Sequence, residues 1–316
     1  MTITGPNQLP PPVQQWFDNV LLSRPMPKLI HKQMAMKKEL PPNSGRIARY
    51  RRYTNLATAT VPLPDSGLTP PGQVLSAVDI DARLDFYGTY VTITDSVMFI
   101  NQDPVLNQTV SLLAQSMRET EDELIRNMLA STASVINATG GTNGDNPTEL
   151  SRSDIDATIL ALLGNDAIMI SDNIEGTLKF GTAPVREAFW GMMNTAVLDD
   201  LEAVTGFISQ AQYPSNMNVL NAEWGSVSNV RFLYSSKGSV TPNASLNGNN
   251  IYNIFITGQE AYAMVELTSA TASFIYTPPG GPTDPLRRLQ LGAWKMAQVP
   301  RILNDAWIFN LRVTHS

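Results

Sequence analysis

Apolar residues in this chain recur with two different periods, and the switches between them divide the sequence into segments. From Asp103 onward, Leu106, Val110, Leu113 and Met117, then Leu124 and Met128, return at spacings of three and four, which marks one face of a helix. The run is interrupted between Thr120 and Glu123. Asp103 ahead of Pro104 offers an N-cap acceptor and a preset φ. Asp122 and Arg126 form an i,i+4 pair, and the GGTNGDNP stretch at 140–147 is a stop. The pattern predicts a helix over 103–137, about 50 Å long at 1.5 Å per residue.

A period of two takes over elsewhere. Val91, Ile93 and Asp95 alternate with Thr92 and Thr94, and short β runs recur within 219–276 (VRFLYS, IYNIFITG, YAMVEL, ASFIY) between Asn, Gly and Pro clusters. The ending WKMAQVPRILNDAWIFNLRV is strand-rich again, and 166–183 reads as strand and turn. Two shorter helices are predicted, one opening at Ser153 and Asp154 and running to Gly164, the other from Pro184 to Val204 with Gly191 as its weak point. At 46–53 the segment RIARYRRY alternates basic and bulky side chains. Prolines 62, 64, 70 and 71 with Gly67 and Gly72 then mark the tip of a long two-stranded excursion. Ahead of it, 1–12 is a proline-rich tail. Residues 13–40 set Trp16, Phe17, Val20, Leu21 and Leu22 against the helix-breaking Arg24-Pro25-Met26-Pro27. Neither arm nor excursion holds enough apolar residues for a core of its own, so each predicts something to lie on.

Composition narrows the chemistry. The 316 residues are 43% apolar, contain no Cys and are only 16% charged, against roughly 25% in typical domains. Such a chain can build a core, and its low surface charge suits contact with other protein. Without Cys there is no disulfide framework, thiolate metal site, iron–sulfur cluster or thiol nucleophile. No apolar run approaches the roughly 18 residues needed to cross a bilayer, and the start lacks a basic then apolar leader. Synthesis in a cytoplasm and no membrane partner are expected.

The net charge of −6 hides a polarity. Residues 1–60 carry nine Lys or Arg against two acids (+7), and 61–316 carry thirteen against twenty-six (−13). The basic block is Arg24, Lys28, Lys32, Lys37, Lys38, Arg46, Arg49, Arg51 and Arg52. It suits contact with the acidic body of another copy, contact with polyphosphate, or a solvated leader.

Candidate reactive groups are sparse. The only imidazoles are His31 and His315, near opposite ends of the chain, from which a two-His metal site or a Ser-His-Asp triad would have to be assembled. Asp79, Asp81 and Asp85, and Asn143, Asp145 and Asn146, could offer oxygens to a hard cation, but neither set has a Glu in the calcium-loop position. Asp199, Asp200 and Glu202 read as the wet side of a helix, and Trp190, Trp224, Trp294 and Trp307 as core. Phosphate-loop, dinucleotide, zincin and serine-hydrolase motifs are absent. No catalytic residue, metal or cofactor is expected.

Three segments carry a resemblance: AEWGSVSNVRFLYS at 222–235, IYNIFITGQEAYAMVEL at 251–267 and DPLRRLQLGAWKMA at 284–297. Together with the order of basic arm, long hairpin, long helix, small α/β region and strand-rich return, they resemble the major capsid proteins of tailed bacteriophages with the Hong Kong 97 fold. More narrowly they resemble the branch typified by the coat protein of podovirus N-four. The resemblance implies an α+β fold with an N-terminal arm at 1–45, an extended loop at 46–85 lying on a neighbouring subunit, and an axial domain at 148–280. The peripheral domain would comprise 86–147 and 281–316, with the spine helix at 103–137. It implies self-assembly into hexamers and pentamers of an icosahedral shell, with scaffolding, portal and decoration proteins as further partners. Packaged double-stranded DNA would be touched only non-specifically. Some members of the family join a loop Lys covalently to an Asn of the next subunit. Here no Lys lies between Lys38 and Lys179, which implies a shell without that crosslink. The competing readings are an encapsulin-like protein compartment, a hydrolase or carbohydrate-binding β protein, and a nucleic-acid-binding protein acting through Arg46, Arg49, Arg51 and Arg52.

Overall fold

Two β-sheets share one long helix. The structure, a computed structural model, describes residues 26–62, 72–100, 105–170, 187–213, 219–267, 273–280, 284 and 286–315. In its first half the elements are β1 (Met36–Leu40), β2 (Ile47–Tyr53), β3 (Ala77–Arg83), β4 (Asp85–Thr94), α1 (Asp95–Ile100), α2 (Val105–Ala130), β5 (Val135–Asn137) and α3 (Arg152–Gly164). Then come β6 (Phe189–Asn194), α4 (Leu198–Ala203), β7 (Ile208–Ser209), β8 (Glu223–Val227), β9 (Val230–Ser235) and β10 (Val240–Thr241). The chain finishes with β11 (Ile251–Thr257), β12 (Tyr262–Leu267), β13 (Ser273–Thr277), β14 (Leu289–Ile302) and β15 (Ile308–Thr314).

The larger sheet has eight strands in the order β5-β15-β11-β6-β9-β8-β7, with β10 beside β11. Helices cover both of its faces. Ile155, Ile159 and Leu162 of α3 and Leu201 of α4 pack with Ile254, Ile256, Leu311 and Val313 on one side. Ile125 and Leu129 of α2 pack with Met192, Leu233, Phe255 and Ile308 on the other. Its central strand β6 (FWGMMN) is buried at every position, because a strand covered on both faces needs a continuous apolar run rather than an alternating one. The helix expected over 184–204 is corrected here. Residues 189–194 are strand, only Leu198–Ala203 is α-helix, and 171–186 lie outside the described residues. A short run of buried apolar side chains fits either period, so its pattern could not decide. Gly191 is the close approach that lets β9 pack, since a Cβ there would sit 2.6 Å from Phe232 Cδ1. By contrast α3 begins where expected, its first turn tied by the Ser151 N–H donating to Asp154 Oδ2 at 3.0 Å.

The smaller sheet has five strands, β1-β12-β14-β13, with β4 on the other side of β14. Leu113 of α2 packs on Trp294 and Met296 of β14, joined by Met117 and Leu124. The two halves of α2 thus rest on different sheets, and the polar interruption at 120–123 is the crossing point. The helix spans 26 residues, about 39 Å, and stops at Ala130 rather than at 137. Past it, Thr132 Oγ1 bonds to Asp305 Oδ1 at 2.5 Å and Ser134 Oγ donates to Asp305 O at 3.1 Å. Hydroxyls that satisfy themselves off the helix axis compete with its continuation. Val135–Asn137 becomes β5, parallel to β15. The cap expected at Asp103 and Pro104 falls outside the described residues.

The excursion is present as the antiparallel pair β2–β3, from Ile47↔Arg83 to Tyr53↔Ala77, with its proline tip at 63–71 outside the described residues. It is not without a core. Ala48, Ala82 and Leu84 at its root are buried against Val265 of β12, with Leu40 and Val299 alongside. The far end is bare: Leu56 is 55% exposed, Val61 83%, Val74 89% and Leu75 69%.

Candidate assembly surfaces

The basic block separates into three groups. The first seats the arm on its own subunit. Ile30, Met34 and Ala35 enter the core between α2 and the large sheet, so residues 28–40 find intramolecularly the support that the arm was expected to seek. His31, 1% exposed, makes a two-point contact with buried Asp122 of α2: its N–H donates to Oδ1 at 2.9 Å and its Nδ1 lies 2.7 Å from Oδ2. Tyr262 Oη donates to the His31 carbonyl at 2.6 Å. Lys28 lies over the Tyr234 ring, 4.1 Å from its centroid, and bonds its hydroxyl. Lys32 sits between Glu121 and Glu266, bonding Glu121 and reaching Glu266 Oε1 at 2.7 Å. Burial works against the Lys32 ammonium, yet the two carboxylates overcome it and hold its pKa above the ordinary lysine value. Burial raises the Glu121 carboxyl, and Lys32 pulls it back only in part.

The second group lies on the hairpin. Arg49 Nε reaches Asp81 Oδ1 at 2.7 Å and Arg51 Nε reaches Asp79 Oδ1 at 2.7 Å, each closed by a second bond of 2.9 Å from Nη2. Arg46 Nη2 donates to Leu84 O at 3.0 Å and lies 3.5 Å from Asp85 Oδ1. The forked guanidinium matches a carboxylate with two parallel bonds, and these bonds hold Asp79 and Asp81 below the usual aspartate range. Asp79, Asp81 and Asp85, weighed as cation ligands, are therefore partners of arginines. Across the pairs, burial pushes the Tyr50 phenol up to about 12. The third group is Lys37, Lys38 and Arg52, exposed and without an ion-pair partner among the described residues. Arg24 lies outside them.

The remaining candidates take structural places. His315 Nδ1 lies 2.9 Å from Asp200 Oδ2 on the α4 side of the large sheet, whereas His31 is on the α2 side, so the two imidazoles do not meet. Asp145 N–H donates to Asn143 Oδ1 at 2.8 Å and Asn143 Nδ2 donates to Thr314 Oγ1 at 2.6 Å, tying this loop to the end of β15. Among the described residues no group of three or more His, Asp or Glu side chains is placed to hold a metal. Trp190 and Trp294 are buried, while Trp224 and Trp307 are partly so; Glu202 accepts the Trp224 indole N–H at 2.9 Å.

Sequence reasoning missed Asp122 and the Glu223–Arg231 pair. The i,i+4 spacing pairs Asp122 with Arg126, but Arg126 bonds Glu123 and Lys237 O instead. The signal was available: Asp122, Ile125 and Leu129 fall at i, i+3 and i+7, one helical face. Arg231 grips Glu223 with two 2.7 Å bonds, and both are buried in the large sheet. Arg231 also lies 4.5 Å from the centroid of the Trp190 ring.

Residues 28–40 are thus held on the chain's own core, while the far end of the hairpin and one face of the small sheet stay open. The fold is similar to that in a capsid structure of cyanophage P-SCSP1u (14% identity, TM-score 0.69, covering 100% of this chain and 96% of that one). It is likewise similar to the capsid of Ralstonia phage GP4 (10%, TM-score 0.67, 97% and 96%) and to a capsid asymmetric unit of cyanophage Pam1 (13%, TM-score 0.66, 96% and 96%). No curated protein sequence matches the chain. Residues 77–287 match the family described as phage capsid protein. That match spans α2, α3 and the strands from β3 to β13, about two thirds of the sequence, and the chain belongs to the phage capsid protein family.

Proposed function

We propose that this chain is the major capsid protein of a tailed phage. Its copies would form hexamers and pentamers that close an icosahedral head shell around double-stranded DNA. The observation that carries the reading is the hairpin, whose root is anchored in its own subunit while its far end presents Leu56, Val61, Val74 and Leu75 to solvent. Burying apolar surface on a neighbour yields about 25 cal/mol per Å², so this end gains stability once a second copy covers it. The role is structural rather than catalytic, and the working location is the virion, following synthesis in the host cytoplasm.

Within the shell we assign 1–45 to the arm, 46–85 to the extended loop, 86–147 with 281–316 to the peripheral domain and 148–280 to the axial domain. Strand exchange ties the last two together: β12 and β13 pair with β14 in the small sheet, while β15 pairs with β11 in the large one. Scaffolding, portal and decoration proteins are further partners, and within the described part of the basic block Lys37, Lys38 and Arg52, which have no ion-pair partner there, can meet DNA or a neighbour. The narrower likeness to the N-four branch rests on three segments, which form the β8–β9 hairpin, the β11–β12 turn and the entry to β14.

Negative-stain microscopy of the purified protein tests the reading. Closed shells or capsomer rings are expected, and dispersed single subunits at all concentrations would overturn it. Denaturing electrophoresis of mature particles is expected to give one monomer band, since the hairpin has no Lys to form a crosslink; a ladder of multimers would contradict that.

A further inference from the structure

Strand β4 has one side unpaired. It runs against β14 from Asp85↔Gln298 to Thr94↔Leu289, and among the described residues no second strand lies along its outer edge. Gly88 to Thr92 are five consecutive exposed residues, with Tyr90 at 69% and Val91 at 41%, so the edge is open over this stretch although Tyr87 beside it packs towards α2. Soluble proteins blunt such an edge with Lys, Pro or a bulge, yet Phe86 to Thr94 contain no charge and no Pro. The charges sit at the two ends. Arg46 lies 3.5 Å from Asp85 at the start of the strand, and Arg288 lies 3.4 Å from Asp95 just past its end. Each acid is five positions from Tyr90, so the pattern reads the same from either direction.

We propose that β4 pairs antiparallel with β4 of a second copy about a two-fold axis through Tyr90, joining two five-stranded sheets into one continuous sheet. In that register Asp85 stands opposite Asp95 of the other copy, and each brings its own arginine. Both ends become neutral clusters of two carboxylates and two guanidiniums. A slip of one residue separates these clusters and turns each strand's side chains to the opposite face. A self-complementary patch of this kind is what a two-fold contact requires. The proposal rests on the reading of the chain as a shell subunit, and names one contact between its copies.

Because the chain has no Cys, a single introduced thiol can only report on its own counterpart. Directly opposed residues of an antiparallel pair have Cα atoms about 4.5–5.5 Å apart, within the roughly 4.4–6.8 Å that a disulfide spans. Oxidised particles of Tyr90→Cys are therefore expected to run mainly as disulfide-linked dimers on non-reducing gels. Ala157→Cys, on the exposed face of α3, is expected to remain monomeric. Thr89→Cys/Val91→Cys, which places the thiols on the other sheet face, gives the same dimer and serves if the loss of Tyr90 disturbs assembly. Tyr90→Lys sets two like charges on the axis and is expected to reduce particle yield at least tenfold while leaving the circular dichroism spectrum unchanged. Particles whose Cys variants stay monomeric after oxidation, or Tyr90→Lys particles formed in normal yield, would overturn the β4 pairing while leaving the shell reading intact. In those cases the edge is covered by another segment or another protein, or is left bare. Absence of any particle from the unmodified chain would count against the shell reading itself.

Discussion

The large and small sheets share one chain and one helix, yet they are completed to different degrees. The large sheet has helices on both faces, a fully buried central strand and its ion pair Glu223–Arg231 sealed inside. The small sheet packs one face on α2 and leaves Phe86, Tyr90, Ile275 and Leu289 of the other exposed at 50%, 69%, 43% and 38%. The hairpin is likewise open beyond its anchored root. The difference separates what one copy stabilises alone from what only an assembly can complete.

Substitutions should divide along this line. The largest effect is expected at the closed end. Glu223→Ala leaves the Arg231 guanidinium buried without its carboxylate, and removing one partner of a buried pair costs about 3–5 kcal/mol. Thermal unfolding of dissociated subunits should show that loss, and an unchanged melting temperature would mean that the pair is hydrated. Asp122→Ala should cost less, about 1.5–3 kcal/mol for hydrogen bonds to a charged group, and mostly locally. Amide exchange should accelerate at residues 28–35 while β6 and β11 keep their protection; uniform acceleration would show that the arm seat belongs to the global unfolding unit. The smallest effect is a slope with pH. The Glu121 carboxyl is raised in the folded state, which therefore binds a proton that the unfolded chain, near 4.5, has released. Between those two values, lowering the pH adds stability from this group. Glu121→Gln should remove that slope, and an identical pH profile in the variant would assign it elsewhere.

How much of this was legible in the sequence follows the same division. The hairpin, the strands at β9, β11 and β12, and α3 were readable because short β-forming runs bounded by turn residues, and a helix start, are local signals even where the strands are buried. So was the body of α2, though not its end, which is set by Asp305 drawing Thr132 and Ser134 away from the axis. β6 was misread because complete burial erases periodicity and, unlike β9 and β11, its run has no turn cluster directly on either side to mark it as short. The seat of the arm was hidden for another reason. A Pro-broken segment with scattered apolar residues looks coreless until His31, Lys28 and Lys32 are matched to Asp122, Tyr234, Glu121 and Glu266, all more than eighty residues away. The basic block looked like one surface in sequence and is three, because strand pairing at β2–β3 places Asp79 and Asp81 beside two of its arginines.

In the shell we propose, the open end of the subunit is covered by another copy. Sedimentation velocity on the unmodified protein and on Val74→Ser/Leu75→Ser tests it most directly. These exposed side chains should contribute within about 0.5 kcal/mol to the lone subunit. The variant should keep the melting temperature of the dissociated subunit but sediment as single subunits or small rings, under conditions where the unmodified chain forms closed particles. Identical particles from both proteins would contradict it.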